Sequence, residues 1–469
     1  MAERGKKGSL RAPIVTVLGH VDHGKTTLLD KIRESNVAVR EAGGITQKIG
    51  ASVYTTSEGR EITFIDTPGH AAFSQMRKRG AGMADICILV VAADDGVKPQ
   101  TREAIEYIKK SGAAMIVALT KIDLETANVE AALGSIEKEG IYLEKRGGDV
   151  PYVLVSGKTG EGAKELVELI LLVSDLLEVS GDEKGELAAW VIETSREKAG
   201  CSVSVVVKQG VLRVGDEIEA EGLSAKVRGL FDWKGKSVKR VLPGEPALVL
   251  GFSQLPAVGA RVVGFSGGMQ AKEEKWGRGD IEIGEEQVGV VLKANSAGCL
   301  EAILASVPEG CVIVSSGVGE VVEGDVFLAK STGVEYILTF ESRVSAGVKK
   351  LAEMEGVKIQ TFSVIYELLD RMEELVSAKK KVILGKAKII TSFPFNNKRV
   401  AGGKVLAGKI GKGVGVTLVR GEKSLGMAKI VSLKKLKDDV DEVGEGEEFG
   451  VILSPQLDFE SGDVIVSAQ

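Results

Sequence analysis

Three short motifs carry the chemistry legible in this chain. The first is Gly19-x-x-x-x-Gly24-Lys25-Thr26, set between the strand-like IVTVL and the helix-like TTLLDKI. A loop in that setting turns backbone N–H groups inward around phosphate oxygens, and the helix N-terminus adds the positive end of its dipole. Asp22, His23, Gly24 and Thr27 belong to this cradle, Lys25 reaches the β and γ oxygens, and the Thr26 hydroxyl ligates Mg2+. The second motif, Asp66-Thr67-Pro68-Gly69, ends the strand-like ITFI forty residues beyond Thr26. Its carboxylate is placed to hold Mg2+ through water and the Gly69 N–H to meet a γ-phosphate, so the loop can sense whether that phosphate is present.

The third motif selects the base. Thr120-Lys121-Ile122-Asp123 follows the strand-like MIVAL, and Asp123 can accept from the guanine ring N–H and exocyclic amine together, an arrangement adenine does not offer. The Lys121 stem can lie over the base, and Ser156-Gly157-Lys158, after YVLV, supplies a backbone N–H for the guanine O6. Asparagine usually opens that tetrapeptide; Thr120 shortens the reach, so the expectation is GTP/GDP specificity with weakened affinity.

Those motifs need a scaffold, and the chain of 469 residues predicts several. Residues 11–180 alternate apolar strand-like runs with helical stretches, the grammar of a parallel sheet covered on both faces. Residues 1–10 read as a solvated basic tail. Residues 186–266 change to short strands with glycine turns, predicting a small antiparallel β-barrel. A charged linker is expected over 267–286, then an α/β sandwich domain over 287–379. It closes on a long helix whose Val364, Ile365, Leu368, Leu369, Met372, Leu375 and Val376 share one face. That helix is open to two readings, a connecting rod or an ordinary helix packed on its own sheet. Residues 380–469 repeat the texture of the first barrel, so the fold class is multidomain α/β and β with a second, related β-barrel.

Composition sets limits. Apolar residues at 44% and charged residues at 27% describe a globular chain, and a net charge of −5 excludes a nonspecific coat for nucleic acid. The cysteines Cys87, Cys201, Cys299 and Cys311 are dispersed, which argues against a zinc site or a disulfide framework. The longest apolar run, ICILVVAA at 86–93, suits a buried strand, so no membrane partner is expected and the location is cytoplasmic.

All three histidines, His20, His23 and His70, lie in Gly-His-Val-Asp-His-Gly-Lys-Thr and Asp-Thr-Pro-Gly-His. Both motifs resemble those of the translational GTPases. The resemblance implies that His70 swings toward the γ-phosphate and positions the attacking water when the ribosome directs it. It further implies that Thr46, in Gly-Gly-Ile-Thr-Gln-Lys, adds a Mg2+ ligand, and that Ile45 and Val21 form an apolar gate restraining His70. GGITQKIGA with DTPGHAAFSQMRKRGAGMADICILVVAADDGVKPQT resembles the bacterial initiation factor two family, as do SSGVGEVVEGDVFLA, TFSVIYELLDRMEEL, RVAGGKV and SLKKLKDDVDEV, so the likeness spans about 11–469 in order.

That family implies a ribosome-dependent GTPase that binds initiator tRNA on the small ribosomal subunit, promotes joining of the large subunit, and leaves after hydrolysis, a monomer off the ribosome. By resemblance the tRNA-facing positions are Arg399, Gly403, Lys404, Lys434, Lys435 and Phe449, among further lysines such as Lys398 and Lys437. Members usually carry cysteine at Gly403 and Phe449, at the pocket for the formylated methionine, so that pocket has a different shape here. Two alternatives stand beside this reading: a GTP-dependent carrier of a special aminoacyl-tRNA in elongation, and a non-hydrolysing RNA-binding scaffold.

Overall fold

The computed structural model describes residues 9–33, 46–47, 49–197, 200–265, 283–284, 287–379, 383–395, 398–421, 423–436 and 438–468. The chain divides into two compact units, one built from residues up to 373 and one from residues 374 onward, which takes in the short segment 284–288.

The first module of the larger unit is a six-stranded sheet. In chain order it contains β1 (Ile14–Gly19), α1 (Lys25–Arg33), β2 (Gly50–Thr55), β3 (Glu61–Asp66), α2 (Ser74–Met83), β4 (Ile86–Ala92), α3 (Pro99–Ser111), β5 (Ala114–Thr120), α4 (Val129–Glu137), β6 (Tyr152–Leu154) and α5 (Ala163–Leu176). The spatial order is β2-β3-β1-β4-β5-β6, parallel throughout except for the antiparallel β2–β3 edge.

The run ICILVVA shows how sequence sets the layers. Ile86, Ile88 and Val90 face a core built with Leu28, Leu29, Ile32, Leu166 and Ile170, whereas Cys87, Leu89 and Val91 face Ala104, Ile105, Leu133 and Ile136 on the opposite side. A strand covered on both faces has no polar side to present, so it reads as continuous apolar sequence. The C-terminal ends of β1, β3 and β5 open toward one edge, where such sheets bind ligands.

Residues 9–10, expected in a solvated tail, instead pair with Ser180–Gly181. The second module is an eight-stranded antiparallel sheet curled around a core that includes Val191, Val203, Val205, Leu230 and Val249. It docks on the first module through polar contacts. Lys208 of the second module pairs with Asp85 at 3.7 Å, and the Thr63 hydroxyl donates to the Gly244 carbonyl.

The third module is a four-stranded sheet, in order Cys311–Val318, Val288–Ala294, Tyr336–Phe340 and Lys358–Phe362. Its helices are α6 (Ala297–Leu304), α7 (Glu323–Ser331), α8 (Ala346–Glu355) and α9 (Ile365–Lys379). Ile365, Leu368 and Met372 of α9 are fully buried within the larger unit, and the helix ends four residues before the first strand of the last module. Helix α9 therefore both packs and connects.

In the smaller unit, strands Ile383–Phe395, Val464–Ala468, Gly415–Arg420, Lys423–Lys435, Glu448–Ser454 and Lys398–Gly411 pair in that order, and the last returns to the first. The ring is a closed six-stranded barrel around Ile389, Val405, Leu418, Ile430 and Ile465. No helix among the described residues is long and apolar enough to cross a membrane.

Candidate functional site

At the C-terminal edge of the parallel sheet, Val21, Asp22, Gly24, Lys25, Thr26, Thr27, Thr46, Gly69, His70, Thr120, Lys121, Asp123, Gly157 and Lys158 surround one cavity of about 400 Å³. Residues drawn from five separate loops thus meet as the motifs require. Two non-glycine residues of this wall, Asp22 and Lys121, hold φ of 58° and 59°. Such left-handed backbone costs energy in any residue with a Cβ, and it clusters where a loop must aim its groups.

Lys25 opens α1 and is 6% exposed; burial drives its ammonium down to about 8, against the opposing pull of Asp66. Its Nζ donates to the His20 carbonyl, which folds the side chain across the loop. A side chain at Gly69 would displace the Lys25 ammonium, and its Cβ would stand 3.1 Å from Val21 N. The second motif therefore lies directly on the phosphate loop.

The donor set suits Mg2+. The Thr26 and Thr46 hydroxyls lie 2.6 Å apart, and the buried Asp66 keeps its Oδ1 without a hydrogen-bond partner among the described residues. Burial also raises the Asp66 carboxyl above its ordinary range, against the opposing charges of Arg33 and Lys25. No group of three or more His, Cys, Asp or Glu forms a metal site among the described residues. A hard cation here takes hydroxyl, carboxylate and phosphate oxygens instead, the chemistry Mg2+ prefers.

On the base side, Ser156 is fully buried and donates from its hydroxyl to Asp123 Oδ1 at 2.7 Å, which holds that carboxyl below its ordinary value. Ser156 thus fixes the orientation of the Asp123 carboxylate. Gly157 lies against the start of α1, where a Cβ would stand 3.1 Å from Leu28 N. Thr120 is 1% exposed; its hydroxyl donates to the His23 carbonyl at 2.6 Å and lies 3.4 Å from the Val91 carbonyl. It braces the phosphate loop, a role the expected asparagine shares.

The histidines divide by role. His23, expected in the phosphate cradle, keeps its ring out of the cavity lining and is only 1% exposed, and burial takes it down to about 4, so the ring is neutral. Its Nδ1 accepts from Ala92 N at 3.3 Å and Nε2 lies 3.4 Å from Asp95, so the imidazole props the loop against β4 from behind. His70 does line the cavity. Its Nδ1 accepts from Ala72 N at 3.0 Å, capping the short 3-10 turn Ala71–Phe73, and burial followed by the Arg77 charge lowers its pKa. A neutral ring with Nδ1 accepting carries its proton on Nε2. Val21 lines the cavity, whereas its partner in the expected gate, Ile45, lies outside the described residues.

Four functional positions carry no sequence signature. Arg77, fully buried on α2, donates to the Pro68, Gly69 and His70 carbonyls and to Glu103 at 2.6 Å, fixing the sensing loop. Gln100 accepts from Val21 N at 3.0 Å. Gln47 and Tyr366 join the sensing loops to α9.

The expected tRNA-facing positions separate by burial. Gly403 and Phe449 are paired neighbours facing into the barrel core, Phe449 being 5% exposed, because both occupy inward positions of alternating strands. They do not form an open pocket floor. The basic rim is largely matched by acids: Arg399 pairs with Asp458 at 2.8 Å, Lys434 with Asp439 at 3.5 Å and Lys435 with Glu447. Lys404 is exposed beside them. Lys437 and the side chain of Lys398 lie outside the described residues.

Three family models match the chain. The Elongation factor Tu GTP binding domain covers residues 10–175, Elongation factor G domain 2 covers 186–265, and Translation-initiation factor 2 covers 269–373. Translation initiation factor IF-2 of Aquifex aeolicus is 39% identical over 488 residues, taking in 97% of this chain and 60% of that protein. The protein of the same name from Rubrobacter xylanophilus is 39% identical over 491 residues, taking in 97% of this chain and 71% of its own length. The chain spans 60, 58 and 55% of the first three relatives it matches. A solved GDP-bound aIF5B from Aeropyrum pernix aligns at 28% identity over 98% of this chain and 92% of its own, with a TM-score of 0.46.

Proposed function

The chain belongs to the translation initiation factor IF-2 family, and on that premise we propose that it is a guanine-nucleotide switch that hydrolyses GTP when a ribosome engages it. The observation that carries this reading is the single cavity in which Lys25, Thr26, Thr46, Gly69, His70, Asp123 and Gly157 converge.

Lys25 holds the β and γ oxygens, Asp123 and the Gly157 N–H read guanine, and Gly69 reports the γ-phosphate. Thr26, Thr46 and Asp66 would hold Mg2+, which would supply charge neutralisation at the phosphates. His70 donates from Nε2 to a water oxygen and leaves a lone pair aimed at the γ-phosphorus. As that oxygen bonds to phosphorus, the bond to the β–γ bridging oxygen breaks, and GDP and inorganic phosphate leave. Val21 and Ile45 restrain His70 until then.

The barrel of 380–469 meets the acceptor end of initiator tRNA on the small subunit. Arg399, Lys404, Lys434 and Lys435 form the polar contact, with Gly403 and Phe449 shaping the wall beneath. Because most of that rim is already ion-paired, the tRNA end exchanges partners rather than meeting open charge.

The test is GTP turnover by the full chain alone, with each ribosomal subunit, and with both. Very slow hydrolysis alone and strong stimulation by the two subunits is the expected result. Several turnovers per second without ribosomes would refute the reading. Protection of initiator tRNA from deacylation by the same chain, against a noninitiator aminoacyl-tRNA, separates it from an elongation carrier.

A further inference from the structure

Three residues at the start of α9, Ser363, Ile365 and Tyr366, touch the two nucleotide-sensing loops between them. Gln47, 3% exposed, closes a two-point clasp: its Nε2 donates to the Ser363 carbonyl at 2.8 Å, and its Oε1 accepts from Ile365 N at 3.0 Å. The residue before it, Thr46, lies 2.6 Å from Thr26. One residue past the clasp, the Tyr366 ring stands against the His70 ring, centroids 4.2 Å apart and planes at 82°.

We propose that Tyr366 is a positioning residue that parks His70 in its resting orientation, and that the Gln47 clasp keeps it there. The inference rests on the role given to His70 in GTP hydrolysis. In the resting arrangement His70 spends Nδ1 on Ala72 N and one side of its ring on Tyr366, so turning toward a γ-phosphate breaks the aromatic pair. Edge-to-face pairs of this kind bias an equilibrium roughly two- to twelve-fold.

The placement of Tyr366 is that of a stop and not of a core residue. It is 44% exposed, while the buried face of α9 is built by Ile365, Leu368 and Met372, so losing the ring leaves the packing of the helix intact. Burial and the charge of Asp22, a phosphate-loop residue, raise the Tyr366 phenol above its ordinary value. The clasp supplies the release. Thr46 already stands 2.6 Å from the Thr26 hydroxyl and Gln47 follows directly, so exchanging that contact for Mg2+ with GTP shifts the residue that holds the turn carrying Tyr366.

Tyr366→Leu and Tyr366→Phe in the full chain provide the test, with Tyr366→Ser as a second non-aromatic variant. Tyr366→Leu is expected to raise ribosome-free GTP hydrolysis roughly two- to twelve-fold, Tyr366→Phe to stay near the wild-type rate, and His70→Ala to abolish the gain. The chain has three histidines, so the His70 ring resonance is identifiable by its loss in His70→Ala. It should shift in Tyr366→Leu and Tyr366→Ser but hold in Tyr366→Phe. A folded, GTP-binding Tyr366→Leu that is no faster alone, or a gain that survives His70→Ala, overturns the inference while ribosome stimulation still supports the wider reading. A wild-type chain that hydrolyses no GTP even with ribosomes overturns both.

Discussion

Thr120→Asn probes the base side of the site. Thr120 is buried and spends its hydroxyl on the His23 carbonyl at 2.6 Å, so it stiffens the phosphate loop but leaves nothing for the base. A carboxamide reaches one atom farther and carries two N–H donors, one for His23 and one for guanine. One added neutral hydrogen bond is worth about 0.5–1.5 kcal/mol, or a roughly two- to twelve-fold tighter GDP complex. Selectivity against adenine should not move, because Asp123, oriented by Ser156, sets it. The assay is equilibrium titration with fluorescent GDP and Mg2+, followed by competition with ADP and ATP. Thr120→Val supplies the opposite arm: it strands the buried His23 carbonyl and lowers unfolding stability by about 1–3 kcal/mol. A folded Thr120→Asn that binds GDP no tighter than wild type refutes the reasoning.

Three further perturbations test other parts of the structure. Arg77→Ala strips the Pro68, Gly69 and His70 carbonyls and Glu103 of their donor; the loss should be about 3 kcal/mol in thermal unfolding, the low end for a broken buried pair because Glu103 keeps some solvent. Burial raises the Glu193 carboxyl despite hydrogen bonds from Gly298 N, Thr194 N and Ser296, so the folded chain holds that proton more tightly than the unfolded one. The resulting stability is full below the ordinary glutamate value and is lost as pH rises through the raised one. Glu193→Gln should thus match wild type in acid, exceed it increasingly as pH rises through that window and hold a constant lead above it; a difference flat from acid onward would contradict this. Gly403→Ala places a Cβ 2.9 Å from Phe449 Cζ and 2.5 Å from the Lys388 carbonyl. It should destabilise the barrel by about 1–3 kcal/mol in urea unfolding, with the cost only partly relieved by Phe449→Leu because the carbonyl remains.

What the sequence made legible depended on chain distance. The phosphate loop, Asp66 to Gly69 and Asp123 declare themselves because each motif lies on a single turn between a strand and a helix, where residue spacing alone decides which groups point together. Arg77 looks like one cation in a run of three, and only the fold buries it under the sensing loop. Gln47 and Tyr366 act across some 300 positions, which no local pattern encodes. The direction of the His23 ring is hidden for a related reason: loop membership does not say which way a ring faces. The basic rim of the last barrel misleads because its acidic partners, Asp458 and Glu447, come from other turns.

The contacts that join the modules of the larger unit explain why the sensing loops can report at a distance. Arg79, on α2 nine residues past His70, pairs with both Glu301 oxygens on α6, and Gly298 of the same helix sits where a Cβ would collide with Met76. The Gln47 carbonyl accepts from Cys299 in that helix at 3.5 Å, and its side chain grips the start of α9. Both loops that a γ-phosphate would order therefore bear on the third module, one through α6 and α2, the other through α6 and α9. Closely packed side chains do not yield by degrees; they exchange one arrangement for another. A loop shift too small to matter on a free surface must here repack α6 or be refused by it, which is the physical condition for a two-state response to nucleotide.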